Sequence, residues 1–351
     1  GTLKLPFVVV VPAVMLVGGV IGAAQGYWVA YWRIPSFIVA LAGMMIFRGL
    51  VIWMSQSISV PVPEEYRFFG AGYLPEWGPS FTGLNNSTLL LGILAAAWFV
   101  WSELKRRAHA LERGAEAPMW ATLVRIALIV VVIGYVTWLF GSGRPGTSFP
   151  IPGVILVILV IIYHGLTQRT RFGRHIYAVG GNKAAAALSG VNTAKTYFLV
   201  MLHLRFLAAI AGILFVGRAT AAGPSDGTMW ELDAIAAVFI GGAAVSGGIG
   251  TVVGSMIGGL VMAVLNSGLM LMGVGADQTQ VIKGLVLLAA VAFDVYNKQQ
   301  GRPSLIGTLM RRFGNEPAAA TPAVTPEPSA PVEGGPAVDA ADTIPTTTPS
   351  K

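Results

Sequence analysis

Residues 234–272 read AIAAVFIGGAAVSGGIGTVVGSMIGGLVMAVLNSGLMLM, without a single charged side chain. A helix crosses the hydrocarbon core of a bilayer with about 20 apolar residues, so this run is too long for one crossing. Two arrangements fit it: spans at 234–249 and 250–272, or one span preceded by a re-entrant piece. The break falls at Gly247-Gly248-Ile249-Gly250, which reads as a tight turn. Eight glycines (241, 242, 247, 248, 250, 254, 258 and 259) fall within the 19 residues 241–259. They let backbones approach closely and tolerate a broken helix where it is covered by protein or water.

The rest of the chain has the same character. Of 351 residues, 54% are hydrophobic and only 11% charged, against about 25% charged in soluble domains. The fold class expected is an all-α polytopic membrane protein. Further spans are expected at 5–30, 37–54, 87–103, 121–140, 151–167, 196–216 and 279–297, about nine in all. Basic residues gather in 104–120 (Lys105, Arg106, Arg107, Arg113), in 168–195 (Arg169, Arg171, Arg174, Lys183, Lys195) and in 298–313. The segments 55–86 and 217–233 are acidic instead, with Glu64, Glu65, Glu76, Asp226, Glu231 and Asp233. Cytoplasmic loops are the basic ones, and nine spans thread these loops with residue 1 outside and the C-terminus inside. An uncapped apolar start, GTLKLPFVVV, suggests a preceding helix and ten spans in the complete chain. Residues 1–313 form the membrane domain. The Pro-, Ala- and Thr-rich stretch 314–351 has too little apolar surface to order itself and reads as a disordered cytoplasmic tail.

Charges inside spans need an account. Arg48 and Arg125, near span ends, are expected to snorkel to the interface. Arg205 lies deeper, with Asp226, Glu231 and Asp233 as partners if the helix geometry brings them close.

Two halves of the chain share patterns. Val17-Gly18-Gly19-Val20-Ile21-Gly22 resembles Val253-Gly254-Ser255-Met256-Ile257-Gly258, and Arg48-Gly49-Leu50-Val51 resembles Lys283-Gly284-Leu285-Val286. The offsets nearly agree, and the paired spans run oppositely in this topology, so an inverted repeat is expected, as in many transporters.

No GxxxxGK[ST] phosphate-binding loop occurs, so any ATP driving force must come from another polypeptide. There is no cysteine, and His109, His164, His175 and His203 are scattered. No metal site or catalytic constellation is expected, which counts against a membrane enzyme. An ion-coupled secondary transporter would want a mid-span carboxylate; Asp294, Asp233 and Glu231 all read as lying near span ends.

The basic segment 168–195 holds a short helix. Asn182 is a strong N-cap, Lys183-Ala184-Ala185-Ala186-Ala187-Leu188 has high helix propensity, and Gly190, after Ser189, is a natural stop. Two turns alone do not hold together in water, so this helix at 182–190 needs a surface to lie on, in the helix-in-groove manner.

The stretch FGRHIYAVGGNKAAAALSGVN (172–192) resembles the coupling loop of bacterial ATP-binding-cassette importer permeases, specifically the branch of ribose, xylose and multiple-monosaccharide permeases. RIPSFIVALAGMMIFRGL (33–50), ELDAIAAVFIGGAAVSGGIGTVVGSMIGG (231–259) and GADQTQVIKGLVLLAAVAFDVYNK (275–298) are similar to the same branch, the last most of all to its xylose-type members. The resemblance implies a permease dimer in the bacterial plasma membrane. A cytoplasmic ATPase pair would carry ATP and Mg, and a sugar-binding protein would dock outside. It also implies that Gly173, Arg174, Tyr177, Gly180, Gly181, Asn182, Ala185, Ala186, Leu188, Ser189 and Gly190 meet the ATPase. Xylose is the first sugar expected, then galactose, glucose and arabinose. For the pathway, Asn266 is the foremost candidate as a polar side chain within a span, followed by Phe239, Phe47 and Ser36. His203-Leu204-Arg205 departs from the family pattern, which has an uncharged segment there.

Overall fold

The computed structural model describes residues 6–77, 83–112, 119–142 and 148–299; the tail at 314–351 and the membrane-domain boundary at 313 lie outside them. Among the described residues twelve α-helices follow one another: α1 (Phe7–Ala30), α2 (Ser36–Ser55), α3 (Arg67–Ala71), α4 (Asn86–Glu112), α5 (Met119–Gly141), α6 (Ile151–Arg169), α7 (Arg171–Gly181), α8 (Lys183–Leu188), α9 (Thr193–Ala219), α10 (Trp230–Ile240), α11 (Val252–Leu271) and α12 (Ala276–Gln299). The all-α polytopic plan is realised. Seven of them (α1, α2, α4, α5, α6, α9 and α11) are long and apolar enough to cross a membrane.

The polarity of the structure is inverted relative to a water-soluble protein. Large apolar side chains such as Trp53 (77% exposed), Trp120 and Val131 face outward. Many buried positions are instead small or polar, such as Gly18, Gly22 and Gln25 on α1 and Thr88 and Glu103 on α4, beside a few apolar ones such as Met262 and Leu269. In water, each large side chain left exposed forgoes roughly 1.5–3 kcal/mol. Against acyl chains that cost disappears, and helices associate through small residues and polar bonds instead. The α1–α9 contact shows this. A Cβ added at Gly18, Gly22 or Gly26 would lie 2.7 Å from Ala209 Cβ, 2.9 Å from Leu202 Cα or 3.0 Å from the Phe198 carbonyl oxygen respectively. Only glycine lets these two antiparallel helices come so near.

Two remaining runs differ from full helical spans. Residues 234–249 form no complete helix: α10 is 11 residues, rising about 16 Å, roughly half the hydrocarbon thickness. It stops at Gly241, where a Cβ would collide with the Gly254 carbonyl. The chain then turns through Gly242, Gly247, Gly248 and Gly250, all at positive φ (87°, 84°, 74° and 152°). α12 is helical throughout, but its first turns are polar, with Asp277, Gln278, Gln280 and Lys283.

At one end of the bundle, β1 (Val60–Pro61) pairs antiparallel with β2 (Ala221–Ala222), and Leu74 N–H donates to the Phe149 carbonyl. These bonds gather the acidic connections. The opposite end carries the turn at 31–35, α7, α8 and the glycine turn after α10. Threaded between these ends, α1 and α11 run in opposite directions, as do α2 and α12, the relation an inverted repeat requires.

Neither arginine near a span end merely snorkels. Arg48 Nη1 donates to Thr228 Oγ1 at 2.5 Å. Arg125 Nη1 pairs with Glu103 Oε1 at 2.9 Å, where the carboxylate is 9% exposed. The α4–α5 hairpin brings these two within reach, so a charge that must leave water takes a partner.

Candidate functional site

The short helix forms as its sequence signals dictate. Asn182 accepts a hydrogen bond from Ala185 N–H at 3.0 Å through its side chain. At the far end Gly190 has φ +81°, its N–H donates to the Ala187 carbonyl, and Val191 N–H donates to the Ala186 carbonyl, both at 3.0 Å. That pair of bonds is a Schellman closure. Ala186 packs inward at 5% exposed, while Leu188 stands 91% exposed. Ala185 and Ser189 are also exposed. A capped helix therefore presents an apolar tip that no described residue covers.

What α8 rests on is α7, read in the sequence only as basic loop. Thr170 caps α7 by accepting from Gly173 N–H at 3.2 Å. Phe172, Ile176 and Val179, spaced as one helical face, turn inward, whereas Arg174 and Gly181 are exposed. That spacing, after a Thr cap, is the signal that reveals α7. Gly173 is buried, with room for no Cβ against the Thr167 carbonyl. Tyr177 hydroxyl donates to the Gly250 carbonyl at 2.8 Å and accepts from Gln168 Nε2 at 3.1 Å. A Cβ on Gly180 would come within 2.6 Å of Gly248 N. The end of α7 thus sits directly on the glycine turn that follows α10, one residue before α8 begins.

The pathway candidates fall in three places. Asn266 lines a cavity of about 450 Å³ between α10, α11 and α12. There Asn266 Nδ2 donates to Asp233 Oδ2 at 3.3 Å, and Lys283 Nζ donates to the same oxygen at 2.9 Å. Asn266 Oδ1 is buried with no hydrogen-bond partner among the described residues. Phe239, half-buried on α10, lies outside the cavity lining. Phe47 stands beside Gly43 on α2. Ser36 lines a second cavity of about 520 Å³ with Arg33, Lys183 and Tyr197, where Lys183 lies over the Tyr197 ring at 5.0 Å. Asp233 and Lys283 were missed as a pair. The signal was Lys283 itself, a cation inside an apolar run.

Arg205 does not reach Asp226, Glu231 or Asp233. Its Nε donates to Gln25 Oε1 at 2.6 Å, and Gln25 is 3% exposed. Close α1–α9 packing places the guanidinium beside an amide, which satisfies one donor without a countercharge.

The model of a family described as the permease component of the branched-chain amino acid transport system matches residues 2–291. The chain is 36% identical over 296 residues to the xylose transport system permease protein of Haemophilus influenzae, covering 84% of this chain and 76% of that one. It is 37% identical over 298 residues to the xylose transport system permease protein of Escherichia coli, covering 84% and 72%. To the ribose import permease protein of Escherichia coli the figure is 32% over 292 residues, covering 83% and 70%. No solved structure matches. Apolar helices packed by glycine and a match over most of the length agree: the chain is a multi-pass membrane protein of this permease family, in the branch that holds the xylose and ribose permeases.

Proposed function

We propose that this chain is the membrane-spanning subunit of an ATP-binding-cassette importer for a monosaccharide, xylose foremost, with galactose, glucose or arabinose as the next choices. A separate cytoplasmic subunit binds ATP and Mg and hydrolyses the nucleotide. A second copy of the permease and an external sugar-binding protein complete the assembly. The basic end of the bundle, with the C-terminus, faces the cytoplasm of a bacterial cell, by the positive-inside rule.

The observation that carries this reading is α8. Short helices are marginal alone, yet this one is capped at both ends and points an uncovered Leu188 outward. That is the form of a helix made to enter another protein's groove. Leu188, Ala185 and Ser189 make the contact; Asn182, Ala186 and Gly190 hold the helix in shape. Gly173, Arg174, Tyr177, Gly180 and Gly181 belong to the platform beneath. Closure of the ATPase pushes α8, α7 follows, and Tyr177 with Gly180 passes the movement to the turn after α10. Asn266 marks the solute route, with Phe239, Phe47 and Ser36 as further pathway positions.

Asp233 is the carboxylate an ion-coupled transporter would use. Its pairing with Lys283 supplies a built-in cation where such a transporter needs a vacancy, which disfavours that alternative. The test is capture: the tagged chain, solubilised from its native membrane in mild detergent, brings down a Walker-motif ATPase, and Leu188→Asp with Ala185→Glu releases it. If folded wild-type protein captures no ATPase, the importer reading fails.

A further inference from the structure

We infer that the cavity between α10, α11 and α12 is a binding site for a neutral polyhydroxylated solute, recognised by the Asp233–Lys283–Asn266 group; the choice of sugar as probe rests on the importer reading. Asp233 and Lys283 are 22% and 25% exposed, so both remain within reach of a small molecule. The bonds from Asn266 and Lys283 to Asp233 both end on Oδ2, which leaves Oδ1 as an acceptor. Lys283 has two further N–H donors. Asn266 Nδ2 donates to Asp233 and so holds that carboxylate in place, while its own Oδ1 is buried behind the cavity wall. A hydroxyl group both gives and takes hydrogen bonds, so adjacent hydroxyls on one carbon chain satisfy carboxylate and ammonium together, with Asn266 positioning the carboxylate.

The charges on Asp233 and Lys283 cancel, which removes the attraction for a free ion and favours an uncharged ligand. The Trp230 side chain, with Met262 and Leu287, gives the wall an apolar surface suited to the C–H face of a sugar ring. A volume of about 450 Å³ lies within the range of small-molecule sites, which combine apolar walls with few polar groups. Position adds a consequence. α10 carries Asp233 near its start, and the turn after its end rests on Gly180 and Tyr177. Solute in the cavity therefore bears on the helix that leads to α8.

The chain has no cysteine, so Thr279→Cys places one thiol in the cavity wall. Its rate of reaction with a water-soluble maleimide is read in the purified full chain, with Val264→Cys, on the outward face of α11, as the control. D-xylose is expected to slow labelling of the cavity thiol several-fold and to leave the control unchanged. Adding Asn266→Ala, or separately Asp233→Asn, is expected to raise the half-protecting concentration about tenfold. If Asp233→Asn does not yield monodisperse protein, Asn266→Ala alone decides. Labelling unaffected by D-xylose, D-ribose, D-glucose and myo-inositol would overturn the site, as would protection that survives Asn266→Ala. ATPase capture in the same preparation separates this failure from failure of the importer reading.

Discussion

Two helix crossings in this molecule are built by the same rule and end in different roles. α1 meets α9 through Gly18, Gly22 and Gly26; α10 meets α11 through Gly241, Gly254 and Gly258. Each contact has a cation nearby: Arg205 on Gln25 in the first, Lys283 on Asp233 in the second. At the first crossing both helices are full spans, and a half-buried Arg205 is bonded to a buried Gln25. At the second, one partner stops after half a span, its continuation turns on glycines at positive φ, and its polar pair borders a cavity. Small residues set how closely helices pack. Whether the result is a strut or a movable element depends on where the helix breaks and whether the charge is left reachable.

The largest effect expected is at the broken crossing. Gly258→Leu forces a side chain onto the Ala237 carbonyl and should cost about 3 kcal/mol or more, since overpacking cannot be relieved by backbone on both sides. Gly259→Leu, which meets nothing within 4 Å, should change stability by less than about 0.5 kcal/mol. Thermal unfolding followed by size-exclusion chromatography in detergent compares the two. Equal losses would show that glycine content, and not the contact, matters there.

The strut is tested next. Gln25→Leu leaves the Arg205 guanidinium without its acceptor and should destabilise by about 2 kcal/mol, the scale of a hydrogen bond to a charged group. Arg205→Met removes the charge together with its need for a partner, and should cost less than about 1 kcal/mol. Adding Arg205→Met to Gln25→Leu should recover most of the loss, a coupling readable as a double-mutant cycle. If Gln25→Leu is neutral, the first crossing is held by packing alone.

Smaller changes sharpen the link between the broken crossing and α8. Tyr177→Phe deletes the bond to the Gly250 carbonyl and should cost about 1 kcal/mol, with uptake in proteoliposomes falling more than stability does. Gly190→Ala places a Cβ at φ +81° and Asn182→Ala removes the cap; each should cost about 1 kcal/mol or less locally. Either would appear as weaker ATPase capture with an unchanged unfolding midpoint. The same two changes have no counterpart at α1–α9, so an effect of similar size from Gly19→Ala there would erase the distinction.

The comparison also separates what could be read from the chain. α8 was legible because its caps, Asn182 and Gly190, act within eight residues of each other and carry the information in their own side chains and φ preferences. The broken run at 234–249 was legible only as an ambiguity: glycines announced a turn, but not that α10 would stop at Gly241 against Gly254. α7 was missed because a basic composition hid an apolar face of three positions. For Arg205 the sequence offers carboxylates only on condition that helix geometry brings them close, while Gln25, 180 residues away, gives no sign in an apolar run.

The sequence alone determined that the chain lives in a bilayer, where its apolar runs lie, which connections are basic, and where α8 starts and stops. These depend on composition and on contacts a few residues apart. Only the tertiary structure decided that Arg205 meets Gln25, that Asn266, Asp233 and Lys283 share one oxygen, and that the turn after α10 rests on α7. A span apolar on every side does not say which face meets a neighbour, because lipid and protein interior are almost equally apolar. Helix rotation and pairing are settled by close packing at glycines and by buried polar groups finding partners, and both require the whole bundle.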